Sequence, residues 1–170
     1  MSTLNAMQND IGLGVAVNAD QYLTFMLAGE EYGVDILRVQ EIKGWGKVTP
    51  IPGTPEYVRG VMNLRGTIVP ILDLRKRFCM DQIDYGPTTV VIVLRVECEG
   101  RDRIMGIVVD AVSDVYAVPM EELRPSPDFG GNVHVEFVRG LATVDEKMVI
   151  ILNIDKLLNA DDLEAVSDAE

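Results

Sequence analysis

From residue 21 the apolar and polar positions begin to alternate. Leu23, Phe25 and Leu27 interleave with Tyr22, Thr24 and Met26, which is the spacing of a strand. Gly29 marks a turn and residues 30–36 return as a second strand, so the two predict a hairpin. Residues 35–42 fit two readings, one helical turn capped by Asp35 or a continued strand, and Gly44-Trp45-Gly46 ends them. Residues 48–55 form a proline-punctuated extended piece, and residues 56–61 have room for one helical turn. Asn63-Leu64-Arg65-Gly66 then reads as a tight turn, with Gly66 supplying a positive φ. It feeds an apolar run, Ile68, Val69, Ile71, Leu72 and Leu74, of strand length and rich in β-branched residues. Pro70 donates no ladder hydrogen bond, so the strand is predicted to be an edge or to bulge there.

Residues 74–80 suit a short helix bearing Arg75, Lys76 and Arg77, and residues 81–87 a connection. A β-branched strand at 88–96, a polar turn at 97–103 containing Gly100 and a return strand at 104–110 make a second hairpin. Residues 111–118 repeat the ambiguity of 35–42, and residues 119–131 read as a loop. Residues 148–154 are a further apolar strand; the spacing then turns helical, with Ile154, Leu157, Leu158 and Leu163 on one face. Residues 1–20 lack a sustained period and read as a flexible tail, and residues 160–170 as an acidic one.

The halves of the chain echo each other. Tyr57-Val58-Arg59-Gly60 returns eighty positions later as Phe137-Val138-Arg139-Gly140, and Pro70-Ile71-Leu72-Asp73-Leu74 as Ile150-Ile151-Leu152-Asn153-Ile154. Upstream, Gly33, Val39, Glu41 and Ile42 return 73 positions later as Gly106, Val112, Asp114 and Val115. Each copy holds about five short strands, a unit that removes its edges by closing as a small barrel. Two such barrels, cut at roughly 21–85 and 86–153 and followed by a C-terminal helix, give an all-β chain with few short helices. A strand exchanged between the barrels is compatible with this pattern. The seam between them is expected to offer a groove.

Composition narrows the function. With 27 acidic against 15 basic residues the net charge is −12, which argues against nucleic acid and against an anionic membrane surface. A protein partner with a basic or apolar patch suits it better. Two cysteines outside any CxxC pair make no disulfide framework and suggest a reduced compartment. No basic stretch leads into an apolar one near the start, and no run approaches 18 apolar residues, so neither a leader nor a membrane span is predicted.

Candidate chemistry is sparse. The single histidine, His134, sits near Ser126 and Asp128 without a nucleophile elbow, and reads as a solvated loop residue. Cys79 follows three basic residues, but burial as a small core residue is expected for it and for Cys98. No metal-ligand spacing or phosphate-cradling glycine pattern occurs, so no cofactor is expected. Trp45 is equally suited to anchoring a partner and to covering the end of a barrel. By spacing alone Val39 and Ile42 read as core, Glu41 as solvated, and Arg65 as a solvated loop arginine.

Three stretches carry a family resemblance: residues 31–42 (EYGVDILRVQEI), residues 63–74 with Asn-Leu-Arg-Gly ahead of an apolar strand, and residues 106–115 (GIVVDAVSDV). Across residues 21–159 the chain resembles the CheW family of chemotaxis coupling proteins. The resemblance implies two SH3-like five-stranded β-barrel subdomains and no catalysis. It implies a cytoplasmic adaptor, monomeric alone, that bridges methyl-accepting chemoreceptors to the regulatory domain of the histidine kinase CheA in membrane-associated arrays. Val39, Glu41 and Arg65 fall at the family's coupling positions, and Asn63 and Gly66 hold the loop that presents Arg65. The receptor tip is then expected in the groove between the barrels, and the kinase against apolar residues of one barrel. The alternatives are a detached kinase regulatory domain of the same fold and a small-molecule-binding barrel.

Overall fold

A computed structural model of the chain describes residues 19–81, 83–125 and 135–158. Ten strands dominate: β1 (Ala19–Leu27), β2 (Glu30–Asp35), β3 (Val39–Gly44), β4 (Val58–Leu64), β5 (Thr67–Asp73), β6 (Val90–Cys98), β7 (Arg101–Val109), β8 (Ala111–Pro119), β9 (Val138–Val144) and β10 (Lys147–Leu152). Two one-turn helices, α1 (Leu74–Arg77) and α2 (Ile154–Leu157), follow β5 and β10. Of the expected tails, Ala19 and Asp20 already belong to β1. Residues 1–18 and the acidic 160–170, with Leu163, lie outside the described residues, as do His134, Ser126 and Asp128.

Several local expectations resolve into specific geometry. Both readings of residues 35–42 hold in succession. The Asp35 carboxylate accepts from the Leu37 amide at 2.9 Å and caps a 3-10 turn at Ile36–Arg38, and β3 then begins at Val39. Residues 111–118 are strand throughout. No helical turn forms at 56–61, because Val58 already opens β4, where alternate residues are buried against β5. Pairing here overrides the poor strand preference of Gly60 and Asn63. Pro70 is not on an edge strand, since β5 lies between β4 and β7. Its partner Val61 spends its amide and carbonyl on Thr49, and the ladder to β7 begins only at Ile71. The missing donor therefore faces no acceptor.

The strands form two five-stranded sheets, ordered β3-β6-β7-β5-β4 and β8-β1-β2-β10-β9. Replacing each of β1–β5 by the strand five places later, and the reverse, turns one order into the other. The repeat thus extends to topology. The cut near residue 85 does not separate the sheets: the first barrel takes the β6–β7 hairpin from the second half of the chain, and the second takes β1–β2 from the first. The physical reason is the shortness of the crossings. Only Ile36–Arg38 separates β2 from β3, and only Asp110 separates β7 from β8, so each hairpin leaves its followers in the other sheet. Offsets in sequence do not reveal which copy of a hairpin a strand will join.

Each barrel closes through one isolated bridge rather than a ladder, Thr49 with Val61 (both bonds 2.9 Å) and Arg124 with Leu141 (2.9 and 2.7 Å). The repeated glycines make these contacts fit. A Cβ on Gly60 would stand 2.1 Å from the Thr49 carbonyl oxygen, and one on Gly140 would stand 2.8 Å from that of Arg124. Inside the barrels Gly33 lies beside Ile151 and Gly106 beside Ile71, where a Cβ would meet the isoleucine methyl at 2.9 and 2.8 Å.

Strands of the seam bury both faces. On β6, Val91 and Val93 fill the first barrel, while Ile92, Leu94 and Val96 turn to a larger cluster shared with Leu23, Phe25 and Leu27 of β1. Tyr22, Ala142, Val149 and Ile151 fill the second barrel. The seam thus holds a packed core lined from both sheets.

Candidate functional site

The turn that presents Arg65 is built by its neighbours. Arg65 and Gly66 are the two central residues of the β4–β5 hairpin, with φ of 52° and 89°. Positive φ at both positions is the type I′ geometry that matches strand twist. Gly66 adopts it without steric cost, whereas Arg65 is an uncommon non-glycine residue there. Asn63 holds the turn from below, its side-chain oxygen accepting from the Gly66 amide at 2.8 Å. The Arg65 side chain is 77% exposed and its Nη2 donates to Glu41 Oε1.

Glu41 lies on β3, at the opposite edge of the same sheet. A register shift between Val39 and Glu41 leaves Val39 opposite Leu94 and Glu41 opposite Val93. Leu94 and Val93 are consecutive on β6 and face opposite ways. Val39 therefore packs on the seam core, while Glu41 turns to the barrel side with Lys43, whose Nζ lies 4.0 Å from Glu41 Oε2. The structure joins Glu41 to Arg65, with Asn63 and Gly66 in support, and sets Val39 on the other face. Ile42, read as core, is exposed.

Trp45 covers the first barrel. It packs on the barrel's apolar filling and meets the Tyr85 ring edge-on at 4.4 Å between centroids. Tyr85 donates its hydroxyl to Asp73 Oδ2 and lies under the Arg59 guanidinium, 5.5 Å from the ring centroid. Burial, then the bond to the Asp73 carboxylate, push the Tyr85 phenol far above its usual range. Cys79 is exposed rather than buried, because it ends the α1 turn with φ of 60°; Cys98 lies on β6.

Two ion pairs, invisible as such in the sequence, pin the two crossings between the barrels. Arg75 on α1 grips Asp110 with Nε on Oδ1 (2.9 Å) and Nη2 on Oδ2 (2.8 Å), and the Ala28 amide adds a bond to Oδ2 at 2.9 Å. Arg38 in the other crossing grips Asp155 on α2 through two bonds of 2.9 Å, and the Glu97 amide adds one to Oδ1. The Arg75 bond is the main cause that holds the Asp110 carboxyl below its ordinary range. At Asp155 burial pushes upward, but the Arg38 bond and the Glu97 amide together outweigh it and hold the carboxyl low as well. The repeat offsets are the signal that finds them: Arg75 and Asp155 are eighty positions apart.

Beside the second clamp a polar cleft of about 310 Å³ opens, lined by Asp35, Arg38, Arg139 and residues 152–155. Among the described residues no group of three or more His, Cys, Asp and Glu side chains is placed to hold a metal ion. Nor is any described helix long and apolar enough to cross a membrane.

Residues 21–162 match the CheW-like domain. The chain belongs to the CheW-like family. It is 46% identical over 146 residues to the chemotaxis protein CheW of Klebsiella aerogenes, covering 86% of each, and 32% identical over 151 residues to that of Bacillus subtilis, covering 89% of this chain and 88% of the relative. The crystal structure of the scaffolding protein TtCheW from Thermoanaerobacter tengcongensis superposes with a TM-score of 0.75 at 33% identity, over 85% of this chain and 90% of that one. The two five-stranded sheets are therefore the SH3-like subdomains of a CheW-like chemotaxis scaffold.

Proposed function

We propose that the protein is a non-catalytic, cytoplasmic adaptor that couples methyl-accepting chemoreceptors to the histidine kinase CheA. The family match over residues 21–162 carries this reading. Val39, Glu41 and Arg65 are its coupling residues, and Asn63 and Gly66 hold the presenting turn. The geometry supports the choice of Arg65: its turn is already held by Asn63 and Gly66, so a partner that meets the outward guanidinium has little backbone left to order. An acidic protein of two interlocked barrels offers separate faces to two partners, and holding both raises their effective concentration. The receptor tip is placed along the seam between the two barrels.

Co-sedimentation with membranes carrying receptor, with and without kinase, tests the assignment. The chain should pellet with receptor alone, and kinase should pellet only when the chain is present. Failure to bind either partner under those conditions would overturn it. Arg65→Ala and Glu41→Ala should each weaken the recruitment of kinase at unchanged circular dichroism; a loss of folded signal instead would make these residues structural.

A further inference from the structure

The two exchanged hairpins differ in length. Gly33 on β2 stands opposite Thr24 on β1, nine positions back, and its repeat partner Gly106 on β7 stands opposite Val93 on β6, thirteen positions back. Both hairpins close on two-residue tips, Ala28-Gly29 and Glu99-Gly100. The four additional residues of β6–β7 therefore make two further cross-strand pairs, Glu97 with Asp102 and Cys98 with Arg101. They lengthen that hairpin into an arm by about 7 Å. Burial does not account for the extension. The described side chains from Glu97 to Asp102 are exposed, whereas Val96, one step inward, is fully buried. A two-stranded ribbon without a covered face gains little by itself. Glu97 and Asp102 also stand directly opposite with like charge, which weakens a strand pair.

The extension brings the arm level with the turn that presents Arg65. β5 runs beside β7 with Ile71 opposite Gly106, and counting back along both strands sets Arg65-Gly66 level with Gly100-Arg101. In the second barrel Ile151 opposite Gly33 carries Asp145-Glu146 past the shorter Ala28-Gly29 tip. The two tips of the first barrel are also built alike. Each puts a charged residue at the first central position, Arg65 and Glu99, both with φ of 52°, and a glycine at the second. Glycine or asparagine would sit at the first position with less strain. The two charges are opposite, yet they do not neutralise each other. Arg65 is bonded to Glu41, and among the described residues Glu99 has no ion-pair partner.

We propose that the β6–β7 arm is a second prong of the partner surface that Arg65 opens on the first barrel, and that the kinase meets both prongs, with a carboxylate on Arg65 and a lysine or arginine on Glu99. The inference rests on the adaptor reading and extends it to residues 97–102, which that reading does not include. The root of the arm is anchored by the buried Val96 and by the Glu97 amide, which donates to Asp155 Oδ1 at 2.9 Å. The prong is thus in place before a partner arrives. A net charge of −12 suits a partner that brings basic groups.

Replacing residues 97–102 by Ala-Gly tests it. The change copies the shorter hairpin, closes it on the existing Val96–Arg103 pair and leaves an amide at position 97 for Asp155. Titration of purified CheA into the shortened chain, read by calorimetry, should show binding weaker than native by about fivefold or more. Co-sedimentation with receptor-bearing membranes should stay unchanged. Glu99→Lys, which leaves the arm whole, should weaken CheA binding by a similar factor and Glu99→Gln by less, and the gap between the two should shrink at high salt. CheA binding at native strength by the shortened chain or by the Glu99→Lys variant would overturn the proposal, as would equal losses of kinase and receptor. No CheA binding by the native chain would overturn the adaptor reading itself; native binding with an indifferent arm overturns this inference alone.

Discussion

Arg75 and Asp155 hold the same place in the two copies of the repeat and carry opposite charges. Their partners, Asp110 and Arg38, lie within one position of each other in the 73-residue frame, and they too are reversed. Each pair makes two hydrogen bonds between its side chains and clamps one crossing. A bidentate pair serves equally well with its ends exchanged, so the sign of each end is free to drift while the contact stays. The glycines show the opposite behaviour. Gly33 with Gly106 and Gly60 with Gly140 are identical in both copies, because a close approach has no mirror-image solution. The hairpin tips are free of both constraints and have diverged fully, to Arg65-Gly66 in one barrel and Asp145-Glu146 in the other.

The comparison breaks most sharply at the glycines. Gly60→Ala should cost about 4 kcal/mol, because it meets a backbone carbonyl and also strains a φ of +136°. Gly140→Ala meets its carbonyl at the longer 2.8 Å without a positive φ, and should cost about 2 kcal/mol. Urea unfolding of the two variants measures the difference; equal losses would mean that closure is not what these glycines permit.

The clamps come next. Arg75→Ala should cost about 2 kcal/mol and Arg38→Ala about 1 kcal/mol, since the first pair is the more buried. Exchanging the ends, Arg75→Asp with Asp110→Arg, should recover about half of the Arg75→Ala loss. No recovery would mean that the sign is fixed by the surroundings.

Acid sharpens the same point. Both clamp carboxyls are held below 3.8 in the folded chain, so the unfolded chain takes up protons first as pH falls. Their contribution is complete above about pH 5 and is lost as pH drops through 3.8 towards the lower folded values. Arg75→Ala should flatten that acid limb in a melting-temperature series. The smallest effect on stability belongs to the tip. Arg65→Ala should change the unfolding free energy by less than about 0.5 kcal/mol, because an exposed ion pair contributes little.

Much of the architecture is legible in the chain, and the reasons it stops being so are physical. Alternation announces β1 and β2, and β-branched runs announce β5, β6 and β7, because those strands bury at least one continuous face. β4 is obscured by Gly60, Arg59 and Asn63, which serve the closure, the aromatic cover and the turn, and β9 by Arg139 and Gly140. The turn itself is readable at Asn63-Leu64-Arg65-Gly66. The approach of Glu41 to Arg65 is not, since it depends on one extra residue, Gln40, in the pairing of β3 with β6. The clamps escape notice because similarity searches within a chain look for like residues, and here like positions hold unlike charges.

The exchanged hairpins carry a mechanical corollary. β6 and β7 occupy the middle of a sheet whose other three strands come from the opposite half of the chain, and β1 and β2 do the same in return. A polypeptide severed between the halves would yield two pieces, each missing its own centre, that regain shape only by threading into each other. Melting of either module must therefore drag the other with it, and a pull exerted on one flank of the molecule is felt covalently on the far flank.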